Sequence, residues 1–169
     1  MEPMKTAPYS RPILTQLRNN TTLWIGHLQT DPTDHFAGQV FNCPVDGELN
    51  NIQIFSSAVQ HAGEMMLTLH SFDGQNKTWG TILGSATIRV TKGDQEKWIR
   101  FSLPPMPLHK DESYGFRVFA SDDAMIAIGE GAAGTQNPFS GEEWHADSMD
   151  QRGHYYKYFS LAFKVEICA

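Results

Sequence analysis

From Phe159 onward every second residue is apolar: Phe159, Leu161, Phe163, Val165 and Ile167, with Ser160, Ala162, Lys164 and Glu166 between them. A period of two predicts a strand with one face in a core, whereas a helix needs apolar spacing of three and four. The same alternation recurs upstream. Ile52 and Ile54 flank Gln53, Leu67 and Leu69 flank Thr68, and Ala86, Ile88 and Val90 alternate with Thr87 and Arg89. Ile99, Phe101 and Leu103 alternate with Arg100 and Ser102, and Tyr114, Phe116 and Val118 with Gly115 and Arg117. Ala124 to Ile128 is a further short apolar run.

Turn signals separate these segments: Asp46-Gly47, Asp73-Gly74, Lys92-Gly93-Asp94 and Asp122-Asp123. Glycine accepts positive φ, and aspartate folds back onto its own backbone. Short strands at regular spacing, with no helical pattern between them, predict an all-β chain: a two-sheet antiparallel β-sandwich of the jelly-roll kind. Residues 1–20 read as an N-terminal arm, since Met1 to Pro12 holds three prolines and Ile13 to Arg18 suits a helical turn. Residues 21–169 read as one sandwich domain. Within it, Thr21 to Leu28 is expected as an edge strand or a cover for one end, with pairing to a second subunit as the alternative.

Several stretches resemble a known group of domains. Gly38-Gln39-Val40-Phe41, Pro44, Gly47, Leu49 and Ile52-Gln53-Ile54-Phe55 look like the first hairpin of accessory jelly-roll domains from bacterial surface and polysaccharide-acting proteins. The likeness continues through Leu83-Gly84-Ser85-Ala86, Trp98-Ile99-Arg100-Phe101, Pro107-Leu108 and Ser113-Tyr114-Gly115-Phe116-Arg117-Val118, about half the chain. It implies a carbohydrate-binding module or a galactose-binding-like sandwich.

Composition narrows the choice of partners. A chain of 169 residues with 40% hydrophobic content suits one core, because folding at this size hides roughly 70% of the unfolded surface. The net charge of −6 and singly scattered Lys and Arg argue against nucleic acid. No apolar run approaches the length of a membrane span, so no membrane partner is expected. No signal peptide is visible at Met1-Glu2-Pro3-Met4-Lys5, so the sequence as given reads as cytoplasmic, leaving export open. Cys43 and Cys168 are too few for a disulfide framework and read as small buried residues; a bridge between them would clip an early strand to the last one.

Ala127-Ile128-Gly129-Glu130-Gly131-Ala132-Ala133-Gly134 contains G-x-G-x-x-G. In a dinucleotide site a helix must begin there to present its amides to the pyrophosphate. Pro138 and Gly141 interrupt any such helix, so the glycines read as a turn leaving a strand. His145, Asp147, Asp150 and His154 have metal-binding types but no His-x-His pair or zinc spacing. No cofactor is expected, with structural calcium at Asp73-Gly74-Gln75-Asn76 or Asp122-Asp123 as the one alternative.

The segment 139–156 is the candidate site, an aromatic and polar loop. Flat indole and phenol rings cover the C–H faces of sugars while neighbouring polar groups bind hydroxyls. Trp144, Tyr155, Tyr156 and Trp79 are the expected platform, with Glu143, His145, Asp147 and Arg152 as polar partners. The expected function is a non-catalytic module for carbohydrate or a similar small polar ligand. The rival is a structural or interaction protein forming a homo-oligomer. A glycoside hydrolase using the carboxylates near Trp144 is a minor alternative.

Overall fold

A computed structural model describes residues 9–27, 33–121, 123–134 and 137–169. In chain order the strands begin with β1 (Ser10–Gln16), β2 (Thr21–His27), β3 (Asp34–Asn42), β4 (Gly47–His61) and β5 (Gly63–Asp73). There follow β6 (Thr78–Val90), β7 (Lys97–Ser102), β8 (Pro107–Leu108), β9 (Ser113–Ala120) and β10 (Met125–Ala132). The last four are β11 (Glu142–Asp147), β12 (His154–Tyr156), β13 (Phe159–Leu161) and β14 (Phe163–Cys168). One 3₁₀ turn, Lys92–Asp94, is the only helical element among the described residues. No described helix is long and apolar enough to cross a membrane.

All pairings are antiparallel and join into one curled sheet, with the main path β1-β14-β4-β10-β2-β3-β9-β5-β6. The all-β expectation therefore holds. The alternating residues line up across strands: Phe163, Ile54 and Ile99 form one row, and Val165, Ile52 and Phe101 the next. Every one of these side chains is buried. A second set of rows runs Ala37–Val118–Leu67 and Gln39–Phe116–Leu69. The curl brings the two sets together. Phe116 on β9 meets Phe163 on β14 with ring centroids 5.6 Å apart, and Phe41 on β3 touches both. Such tilted ring pairs add attraction beyond the area they bury.

Three expectations are corrected. Residues 1–8 of the expected arm lie outside the described residues, but Ser10–Gln16 is a strand hydrogen-bonded to β14 rather than an arm with a helical turn. Its position at the end of the sheet path and its irregular register between Pro12 and Leu14 explain why proline is tolerated there. Thr21–His27 forms a strand, but an interior one, paired with β10 along its length and with β3 at one end; Leu28 lies outside the described residues. Of the glycines of G-x-G-x-x-G, only Gly134 lies in a turn past the strand, its carbonyl accepting from the Asn137 amide at 3.1 Å, whereas Gly129 and Gly131 lie inside β10. A Cβ on Gly129 would stand 2.7 Å from Asn19 Oδ1, and one on Gly131 would stand 2.9 Å from the Arg18 carbonyl. The motif is a packing seam, where the link between β1 and β2 presses on the sheet.

Phe116→Ala should destabilise the fold by about 3–5 kcal/mol through the cavity it leaves. The outward-facing Ile82→Thr should change stability by no more than about 0.5 kcal/mol. Urea unfolding followed by circular dichroism measures both, and equal costs would overturn the assigned core.

Candidate functional site

Segment 139–156 is a β-ribbon rather than a long irregular loop. β11 pairs with both β12 and β3, in the registers Glu143↔Tyr156, Trp144↔Tyr155 and His145↔His154. Side chains alternate across a strand, so this pairing divides the expected platform between two faces. Trp144 and Tyr155 fall on one face, and Glu143, His145 and Tyr156 on the other.

The Trp144 face is the one turned away from the core. Across the strands, Tyr155, Trp144, Gly38, Arg117 and Thr68 form a continuous row. Trp79, near the start of β6, lies over the same face. Two glycines clear the floor for these rings. A Cβ on Gly38 would come 3.1 Å from Trp144 Cε3, and one on Gly115 would come 2.5 Å from Trp79 Cζ3. Trp79 stacks edge-on to Trp144 at 5.3 Å, and its indole N–H donates to the Tyr155 hydroxyl at 2.9 Å. Behind it, His70 packs edge-on at 5.4 Å. Burial holds the His70 pKa down, which suits a neutral ring held by Thr68 Oγ1 at 2.8 Å and the Gly80 carbonyl at 3.1 Å.

The Arg117 guanidinium lies 4.2 Å from the Trp79 ring centre and 4.6 Å from that of Trp144. In front of this stack is an open cavity of about 620 Å³ whose walls include Trp79, Arg117, Tyr155, Lys77 and Arg152. Trp144 itself is 1% exposed. It therefore offers no open ring to a ligand and acts as the rear wall for Arg117, its indole N–H donating to the Arg152 carbonyl at 3.0 Å. Of the expected residues, Trp79, Tyr155 and Arg152 line the cavity.

The opposite face carries a different cluster. Glu143 is fully buried, and its Oε2 meets His145 Nε2. His145 Nε2 also lies 3.5 Å from Glu130 on β10, and Thr21 Oγ1 donates to Glu130 at 2.6 Å. Tyr156 covers the imidazole, with ring centroids 4.6 Å apart. Burial, reinforced by Glu130, pushes the Glu143 pKa up to about 8. Glu130 is also opposed by burial, but hydrogen bonds from His145, Glu143 and Thr21 prevail and hold it down at about 2. Burial acts against the charged form of His145 too, yet its two carboxylate neighbours raise it to about 9. The cluster is thus one imidazolium, one carboxylate and one neutral acid. The unpartnered Oε1 of Glu143 costs less in a neutral acid than in an ionised one. The three residues bring donor atoms within 4.8 Å of one another and are types that bind divalent ions. They would have to give up the His145 Nε2 proton and the Glu143 proton to do so.

Asp147 belongs to neither group, because its Oδ1 accepts from the amides of Met149 and Asp150 at 2.8 and 2.7 Å and shapes the turn. His154 pairs with Asp150 at 3.3 Å. Asp73 likewise uses its oxygens within its own turn, on the Gln75 and Asn76 amides and the Asn76 side chain. Of the other calcium candidate, Asp122 lies outside the described residues. Cys43 and Cys168 are free thiols. Burial pushes the Cys43 pKa up, away from reactive thiolate.

Sequence reasoning missed Arg117, Lys77 and Glu130. Arg117 occupies a polar position in the β9 alternation, which reads as solvated surface. Glu130 hides in the glycine motif. The pairing of β9 with β3 and β5, which only the register reveals, gives Arg117 its neighbours.

Comparisons with known proteins bear on the frame. No family model matches the chain, and no curated protein matches it. Among solved structures it resembles the clostridial cysteine protease Cwp84 after propeptide cleavage, with 9% identity and a TM-score of 0.59. It also resembles the cysteine protease and lectin-like domains of Cwp84, a surface layer associated protein of Clostridium difficile, with 8% identity and a TM-score of 0.52. The likenesses cover 95% and 88% of this chain, which spans 40% and 36% of those chains. At such identity they speak to the fold alone.

The buried cluster fixes a pH signature. His145, with a pKa raised from 6.5 to about 9, gives stability that is full below 6.5 and lost as pH rises toward 9. Glu143 keeps its proton in the folded state from pH 4.5 to about 8, so stability also falls as pH rises across that window. Glu130, lowered from 4.5 to about 2, acts oppositely, and its contribution is lost as pH falls from 4.5 toward 2. The thermal midpoint should therefore decline as pH is raised from about 5 to 9, and Glu143→Gln should flatten that slope. A wild-type midpoint that stays level over this range would contradict the assigned protonation.

Proposed function

We propose that this chain is a non-catalytic binding domain that takes a carbohydrate in the cavity before Trp79 and Tyr155. The frame is read as a jelly-roll sandwich, supported by the meeting of Phe116 and Phe163 across the core. The observation that carries the reading is the cavity of about 620 Å³ with two half-buried aromatic walls and polar side chains around them. Small-ligand sites combine such a concave shape with apolar surface and a few convergent polar groups. The Trp79–Tyr155 hydrogen bond fixes both rings in place before a ligand arrives, which lowers the entropy lost on binding. Asn76, Gln151 and Arg152 supply groups for hydroxyls.

Binding is favoured over hydrolysis because no Asp or Glu among the described residues lines the cavity. Glycoside cleavage needs two carboxyl groups flanking the scissile bond, and Glu143 is shut inside the fold on the other face of the ribbon. The likeness in fold to a protein described as having a lectin-like domain is in keeping with this reading.

A second reading, self-association, is favoured by one observation. β6 ends the sheet path, and its Ile82 and Leu83 are 60% and 39% exposed. An apolar strand edge is a template for pairing with another copy.

A glycan array probed with the purified chain tests the first reading. Trp79→Ala should reduce binding at least about tenfold, as expected for a central aromatic anchor. Trp144→Ala should act instead through stability, costing about 3–5 kcal/mol. Absence of binding to every glycan, or unchanged binding by Trp79→Ala, would sink the proposal. Light scattering tests the second: a dimer that Ile82→Lys disperses supports it, and a monomer at all concentrations removes it.

A further inference from the structure

The cavity has an electrostatic character that its shape alone does not require. Lys77, Arg117 and Arg152 all line it, and no carboxylate among the described residues does. This concentration of positive charge occurs in a chain whose net charge is −6. Scattered cations on an acidic protein are ordinarily matched by nearby carboxylates, and Lys77 is, through Glu142 at 2.7 Å.

Arg117 is not matched. Its side chain forms no ion pair or hydrogen bond with any described residue, and its Nε is buried without an acceptor. Its stabilisation comes from the two indole faces that bracket it. A cation–π contact offsets part of the cost of desolvating a guanidinium, but it occupies the faces of the plane and satisfies none of the N–H donors around its rim. The buried Nε is left unfilled, while the outer nitrogens are not sealed from the cavity and are open to water or to an oxyanion, which would bind them more strongly. The indoles also prevent Arg117 from swinging out toward solvent, so the charge is held at the cavity wall. Arg152, on the ribbon turn, is exposed, and its side chain is unpaired among the described residues. It lines the same space.

We infer that the ligand of this cavity is an anionic saccharide, bearing a carboxylate, phosphate or sulfate group that seats against the rim of the Arg117 guanidinium while its ring lies against Trp79 and Tyr155. This rests on the carbohydrate reading and narrows it to one chemical class. Arginine suits the task because its fork of donors matches the paired oxygens of such groups, which a lysine ammonium does not.

The test uses the full chain and matched oligosaccharides: a neutral hexose oligomer, its uronate counterpart and its phosphorylated and sulfated counterparts. Titration calorimetry at two salt concentrations provides the readout. At least one acidic form should bind about tenfold or more tighter than the neutral oligomer, a difference typical of one charge-assisted hydrogen-bonded contact. That advantage should shrink with added salt. Arg117→Gln should remove it, and Arg117→Lys should retain only part. Arg152→Gln, on an exposed side chain, should cut the advantage severalfold without altering the thermal midpoint, which keeps the test decisive if Arg117→Gln fails to fold. Equal affinity for neutral and acidic forms would overturn the anionic inference and leave the carbohydrate reading standing. Binding of inorganic phosphate or acetate with no affinity for any oligosaccharide would overturn the carbohydrate reading, and the anionic saccharide with it. The uronate, phosphate and sulfate arms identify which oxyanion the fork accepts.

Discussion

Arg117 is held between two indoles, and that stack depends on strands far apart in the chain. Trp79 comes from β6, Arg117 from β9 and Trp144 from β11, while β3 contributes Gly38, whose missing side chain lets Trp144 lie across the sheet. No one of these residues would be placed by its neighbours in sequence. The sheet register places them, and the register is in turn fixed by the rows of Leu, Val and Phe on the core side. A slip of one residue in β9 would turn Arg117 into the core and Phe116 out toward the cavity. The core and the cavity are two faces of a single alternation, and the energy that buries Phe116 also orients Arg117.

The same alternation explains what can be read in advance. Period-two apolar spacing marks β7, β9 and β14, because each buries one face, and the turns at Asp46-Gly47 and Asp73-Gly74 carry local chemistry that does not depend on the rest of the fold. β10 is visible only as an apolar run, since a strand covered on both sides loses the alternation. β1, with its proline and mixed polarity, gives no strand signal because an edge strand has little to bury. The segment 139–156 reads as one surface in the sequence and is two in the fold. Trp144 and Glu143 are adjacent letters, and adjacency in a strand means opposite faces. Only the pairing of β11 with β3 and β12 reveals that this segment is a strand and that its tryptophan is covered.

On the inner face, Glu130, Glu143 and His145 close the ribbon against β10 as one carboxylate, one protonated acid and one imidazolium. Such a cluster contributes little net stability compared with a well-packed apolar one, but it discriminates against misregistered pairing, since any slip would leave an ionised group buried without its partner. The glycine seam in β10 works alongside it: Gly129 and Gly131 let the β1–β2 link approach, and Thr21 at its end reaches Glu130.

Trp79 sits on β6, the strand at the end of the sheet path, which has a ladder partner on one side only. The opposite wall of the cavity, Tyr155, belongs to a three-residue strand that is likewise paired on one side. Tyr155 thus stands on a ladder of three residue pairs, and Trp79 near the end of the long ladder between β5 and β6, beside two irregularities in its register, while Arg117 stands on β9, paired on both sides in the interior of the sheet. Local opening of an edge costs less than global unfolding. The cavity therefore has a rigid charged floor and two sides of lower local stability, joined by one hydrogen bond from indole to phenol. The rim can open at β6 and β12 without disturbing the core on which the floor is built.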